Sequence, residues 1–397
     1  MAAIEANGQP AARPLGWLAA AALALPGVMP PAAQAEEAPE KATVAAKYLH
    51  YSDSQAVQTR YPYNSGQAGG TLQRITVDAP SLMLSVPLGR RWLVEASGTV
   101  DKVSGASPRY YSDVSGASQM SDRRTAGDAR VTHYFERVAI AVGGAQSSEN
   151  DYVSKAWSAE VRAASADNNT TYSLALGGAR DTIRPTGGGV LNVVQDQRST
   201  QEVMLSVTSA LTPVDLVQLS LGQSRGRGYF SDPYKQFDRR PRERDISTYL
   251  MRWNHHVEAL GITQRASYRY YSDSYDVRAH SVDLQWVLPL TGAWKLTPSL
   301  RYHTQSSASF YFDPVTDLAV YPGTLGQPTY SAVDQRLSAF GALTVGLKTE
   351  FTWRSWTVDL KLERYEQRPA WRLGGEGSLG LDPFRATMLQ AGLAYSF

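Results

Sequence analysis

Six histidines and a scatter of carboxylates are the side chains of this 397-residue sequence with the reach for acid–base chemistry. His50 stands just before Asp53, and His280 follows Asp273 and Asp276. An imidazole beside a carboxylate begins a hydrolytic relay if a nucleophile joins it. Neighbours on one strand are weak grounds for a dyad. No phosphate loop or clustered metal-ligand motif is present. The sequence therefore reads as not an enzyme, with no cofactor and no metal site, and a hydrolase is the third-ranked reading.

A second pattern is more insistent. "SYRYYSDSYD" begins at Ser267, and relatives of it recur in "KYLHYSDSQ" from Lys47, "PRYYSDVSG" from Pro108, "GRGYFSDPY" from Gly226 and "SFYFDPVTD" from Ser309. Aromatics run into Asp53, Asp113, Asp232, Asp273 and Asp313. The structural reading places the aromatics in an interfacial girdle and uses Ser and Asp to turn the chain and accept backbone hydrogen bonds. The functional alternative is a ring of carboxylates that binds cations or bridges to lipopolysaccharide.

The elements carrying these residues have period two. In "SWTVDLKLE", Trp356, Val358, Leu360 and Leu362 share one face, opposite Thr357, Asp359, Lys361 and Glu363. "SVDLQWVL", "WKLTPSLRYH", "AWSAEVRA" and "QEVMLSVT" alternate in the same way, which is the pattern of a strand with two unlike faces. Many apolar faces end in Trp or Tyr, and the strands are longer than those usual in a sandwich. Connections alternate between short, as at Leu88–Arg91 or Thr212–Asp215, and long, as at Arg227–Arg244 or Ser309–Asp334. The expected fold is all-β: a transmembrane antiparallel β-barrel of about 16 strands (roughly 14–18), with short periplasmic turns and long extracellular loops.

Bulk composition agrees. A net charge of +2 gives no basic excess for nucleic acid, and the absence of cysteine excludes disulfides and thiolate metal sites. Arg13, the apolar run from Leu15 to Met29 and the small-x-small Ala33-Gln34-Ala35 read as a secretory signal over residues 1–35, leaving 36–397 as one barrel domain. Export without a helical anchor points to the outer membrane of a Gram-negative bacterium.

Alternation assigns Arg130, Glu160, Arg162, Glu202, Arg252, Arg265, Arg269, Arg301, Asp359, Lys361 and Glu363 to the lumen, with Glu95, Asp101, Asp128 and Asp283 beside them. Charges lining a barrel need water or partners. This mixed lining suggests cross-strand ion pairs, a modest water path and weak ion selectivity. "VSGAS" occurs at Val103–Ser107 and Val114–Ser118, a packed surface loop or a constriction. "FDRRPRERD" puts Arg239, Arg240, Arg242 and Arg244 in an outer loop, solvated or in contact with lipopolysaccharide phosphates.

The chain ends "MLQAGLAYSF", where Gly392, Tyr395 and Phe397 fit the signal read by the barrel-insertion machinery. "ALALPG", "VDKVSGASPRYY" (Val100 to Tyr111) and the whole-length pattern resemble the bacterial domain-of-unknown-function family 3570. The resemblance implies the same architecture and no catalytic residues. The expected function is a channel or porin-like transporter for a small polar solute. Its other partners would be outer-membrane lipids, lipopolysaccharide and the assembly machinery. The alternatives are a barrel whose outer loops bind a ligand or partner without flux, the hydrolase, and last a soluble sandwich.

Overall fold

The computed structural model describes residues 37–56, 70–106, 119–189, 192–235, 237–313, 316–317 and 329–397. The signal segment, Asp113 and the second "VSGAS" lie outside the described residues. The strands are β1 (Thr43–Ala56), β2 (Thr71–Leu88), β3 (Trp92–Ala106), β4 (Gln119–Tyr134), β5 (Val138–Ser148), β6 (Tyr152–Ala164), β7 (Thr170–Ile183) and β8 (Asp196–Thr212). They continue as β9 (Asp215–Gly228), β10 (Glu243–Val257), β11 (Ile262–Asp273), β12 (Arg278–Pro289), β13 (Trp294–Gln305), β14 (Phe340–Trp353), β15 (Trp356–Arg368) and β16 (Phe384–Ser396). Each pairs antiparallel with its sequence neighbours, and β1 pairs with β16, so the sheet closes as a barrel of 16 strands. Ala42 and Phe397 exchange backbone hydrogen bonds of 3.0 and 2.9 Å at the seam. Closure leaves no strand edge to satisfy, which a barrel in lipid requires.

Strand lengths run from 11 to 18 residues, enough for the tilted crossing of about 9–11 residues that a bilayer demands. The connections at one end of the barrel, which also holds the start of β1 and the end of β16, are all short, and the long ones share the other end with the short β5–β6 and β11–β12 connections. At the short end, Arg354 turns the chain between β14 and β15 with a φ of 54°, and Gly261 adopts 62° between β10 and β11.

The outward face is apolar. Leu82, Leu84, Val142, Leu174, Leu205, Leu219, Val345, Leu360 and Leu393 are all exposed to the surroundings. A belt of this extent in water would far exceed the few hundred Å² that soluble surfaces tolerate, so its solvent is lipid. Aromatics border it. Trp92, Phe135, Trp294, Phe351, Trp353, Trp356 and Phe397 sit toward the short-turn end, and Tyr48, Trp157, Tyr249 and Tyr268 toward the long-loop end. Trp157 lies over Gly178 of the paired strand, where a Cβ would stand 2.6 Å from its indole nitrogen.

Strands outrun the belt at the long-loop end, and there the polarity inverts. On β2, Leu82 and Leu84 face outward, but higher up Ile75, Val77 and Ala79 are buried inside. β16 repeats this with outward Leu389 and Leu393 against inward Phe384, Ala386 and Met388. Above the lipid the outside is water and the inside is packed protein, so the apolar residue changes sides.

Candidate lumen and outer cap

Every lining residue named from the sequence points into the barrel, each alternating with outward neighbours. Arg130 and Glu160 form a buried ion pair, and Arg162 approaches the same Glu160 oxygen at 3.5 Å. Glu202 accepts a hydrogen bond from Ser224, Arg301 pairs with Asp283, and Lys361 lies 2.9 Å from Glu363. Arg252 donates to Gln218 at 3.3 Å, and Arg265 and Arg269 share its wall. Asp359 lies against Gly392, where any side chain would collide with the carboxylate. Arg301 and Asp283 keep 32% and 23% of their side chains exposed although they face inward, so this part of the interior has room for water.

The aromatic-Asp motif divides between two faces, where the sequence suggested one girdle. Tyr48 and Tyr268 face outward, whereas Tyr51 and Tyr271 turn inward and are buried. Tyr51 donates to Asp53 at 2.8 Å, and Arg74 lies 3.6 Å from that carboxylate. Tyr271 donates to Asp273 at 2.7 Å, and Arg244 binds the same oxygen at 2.6 Å. Asp53 also accepts the backbone N–H of Ile75, Asp273 those of Tyr275 and Val277, and Asp232 that of Tyr234. Asp313 accepts from Gly380 across two loops. Asp53 and Asp273 are thus committed to arginine and backbone, which removes them from a cation-binding ring.

The loops form a cap at this end. Arg240 of the β9–β10 loop binds Asp238 at 2.6 Å and Asp334 of the β13–β14 loop at 2.9 Å. Arg336 also binds Asp334, and both carboxylates are fully buried. Arg239 and Ser331 exchange backbone hydrogen bonds, and Ser378 and Ala339 tie in the β15–β16 loop. Leu337 packs with the inward-facing Tyr271 and Ala279, and Leu381 with the inward-facing Phe340 and Ala342. Two long loops therefore reach inside the mouth. Arg240 and Arg244 are buried against carboxylates, which takes these guanidiniums away from lipopolysaccharide phosphates, whereas Arg242, paired with Asp196, stays exposed.

Neither His50 nor His280 joins the carboxylates the sequence placed beside it, and the buried His303 meets Ser281 at 2.8 Å with the amide of Gln305, not a carboxylate, on its other nitrogen. His50 faces outward and bonds Asp78 at 2.8 Å, with Tyr48 on the same carboxylate, while Asp53 faces inward. His280 bonds Tyr268 at 2.7 Å on the outer face and meets neither Asp273 nor Asp276. His255 bonds Asp215 near the short-turn end.

A family model described as "Protein of unknown function (DUF3570)" matches residues 15–119, 112–195 and 190–384. The chain belongs to the DUF3570 family. Solved structures similar to this DUF3570 barrel include CdiB from Acinetobacter baumannii, with a TM-score of 0.50 at 9% identity, over 88% of this chain and 60% of that one. Another is a Pseudomonas aeruginosa FadL homologue, at 0.43 and 10%, over 89% and 90% of the two chains. The siderophore receptor PirA from Acinetobacter baumannii gives 0.43 and 10%, over 84% of this chain. The DUF3570 chain spans 54% of that receptor's length. A comparison with curated proteins finds no match.

Alternation read on the assumption of lipid outside missed the inward apolar sector of the DUF3570 barrel. The signal lies at Ala79-Pro80-Ser81, where the apolar phase of β2 changes face. The buried salt bridges of Asp101 with Arg124, and of Asp181 with Arg198 and its neighbour Tyr152, belong to the same outer half.

Proposed function

We propose that the chain is an outer-membrane channel for small polar solutes, with the capped end facing outward. The observation that carries this reading is the partial exposure of charged side chains inside a closed wall, such as Arg301, Asp283 and Lys361. Ionised groups in a barrel interior need water, and a barrel of about this strand number is wide enough to hold it. The inserted loops pack against the outer sector of the inner wall, and Arg301 and Lys361 on that wall stay partly exposed. Proteoliposomes carrying the full chain should swell in an isotonic pentose solution, and a folded barrel that leaves swelling at the protein-free rate would refute the channel.

The cap supports a second reading, in which the outer loops bind a ligand without flux. Buried charge pairs shared between loops, as at Arg240 and Asp334, hold a defined outer surface in place. Binding of a solute to a barrel that passes none would favour it.

A further inference from the structure

Lys155 of β6 and Arg180 of β7 stand directly opposite each other on the outer face, toward the long-loop end, and both are exposed. Opposed residues on antiparallel strands hold their Cβ atoms about 4.5–5.5 Å apart, and like charges placed so are destabilising. Their flanking partners in the same row are neutral, Gln146 of β5 beside Lys155 and Ser199 of β8 beside Arg180. The row above is neutral as well, with Val153 opposite Thr182. Among the described residues neither cation has a hydrogen-bond or ion-pair partner.

The row below is the aromatic border of the lipid belt. Trp157 lies over Gly178 there, and exposed Val161 and Leu176 continue the same strands into the apolar zone. The two cations therefore sit just above the border, at the depth where acyl chains give way to headgroups. A phosphate shared by both would turn their repulsion into attraction, the ammonium acting as a point charge and the guanidinium as a fork of donors. We infer that Lys155 and Arg180 form a docking site for lipopolysaccharide, with a lipid A phosphate between them and its acyl chains along Leu176 and Val161. The contact with lipopolysaccharide thus lies on the barrel wall, where the sequence suggested the β9–β10 loop. The assignment rests on the capped end facing outward and not on the channel.

The test compares the full-length barrel with a variant carrying K155Q and R180Q, both checked for heat-modifiable migration. Each is titrated in detergent with bisphosphorylated lipid A, and bound lipid is read by native mass spectrometry. The double variant should bind about tenfold more weakly, because each exposed charge contact is worth on the order of threefold to fivefold. K155R should retain the wild-type affinity. Binding should persist in EDTA, since no carboxylate adjoins the pair to hold a bridging cation. Equal binding by wild type and double variant would overturn the site, as would equal binding of dephosphorylated lipid A or displacement by phosphatidylglycerol. The chain has no cysteine, so V194C, at an exposed position of the β7–β8 loop, reports orientation separately through a membrane-impermeant maleimide on intact cells. Labelled cells with equal lipid A binding would sink the docking site and leave the outward cap standing. Unlabelled cells that contain folded barrel would remove the outward cap and the site with it.

Discussion

The hydroxyl of Tyr271 donates to Asp273 at 2.7 Å, two positions along the same inner face of β11. Tyr51 and Asp53 repeat this on β1 at 2.8 Å. In each case an arginine from the neighbouring strand or its flank, Arg244 or Arg74, lies against the carboxylate. In these two copies the motif is thus a buried polar clamp that fixes the outer rim of the wall from inside, while Tyr48 and Tyr268 beside them face the lipid boundary.

Removing one member of that clamp leaves a buried charge uncompensated. Asp273→Ala should destabilise the barrel by about 3–5 kcal/mol, because Arg244 keeps its charge in a dry site. Tyr271→Phe should cost only about 1 kcal/mol, since Arg244 still satisfies the carboxylate. Guanidinium unfolding of vesicle-inserted protein would measure both, and equal effects would count against the clamp.

The cap should show a defined acid response at Asp334. Burial acts to raise this carboxyl, but Arg336, Arg240 and its hydrogen bonds together hold it well below the usual carboxylate range. A depressed carboxylate contributes stability that is fully present above its unfolded pKa and is lost only as pH falls through the folded value. The difference in cap proteolysis between wild type and Asp334→Asn should therefore stay constant from about pH 7 to about pH 5. A difference that vanishes within that window would contradict the ion-pair role of Asp334.

The lipid-facing pair of Trp157 and Gly178 makes a packing prediction. A Cβ at Gly178 would stand 2.6 Å from the indole nitrogen, so Gly178→Ala must move Trp157. The expected cost is about 1–3 kcal/mol, with a change in Trp157 fluorescence measured in a background lacking the other tryptophans. Unchanged emission and stability would show that the ring does not rest on this glycine.

Much of the architecture was legible because sheet and lipid impose simple rules. Val358, Leu360 and Leu362 could face only lipid once Asp359, Lys361 and Glu363 were placed opposite, and one such strand fixes the pattern for its neighbours. The capped end was less legible. Ile75, Val77 and Phe384 obey the same period with the opposite sense, because their outside is water and their inside is protein. The partners of Arg240 and of Asp313 lie on distant loops, and no local period encodes such contacts.

The C-terminal residue has a structural task at the seam. Phe397 exchanges backbone hydrogen bonds with Ala42, and its ring stacks on Tyr395 with centroids 5.7 Å apart. Deleting Phe397 should lower the amount of folded barrel in the outer membrane severalfold, read as the heat-modifiable fraction of membrane protein. Unchanged abundance would detach this residue from assembly.

Single-channel conductance of the purified, folded full chain in planar bilayers tests the channel most directly, with Asp334→Ala measured beside the wild type. The expected result is ohmic current steps in the wild type and larger steps in the variant, because loosening Arg240 and Arg336 frees the loops that narrow the mouth. Folded barrels of both proteins that give no steps would contradict a water-filled path through the lumen.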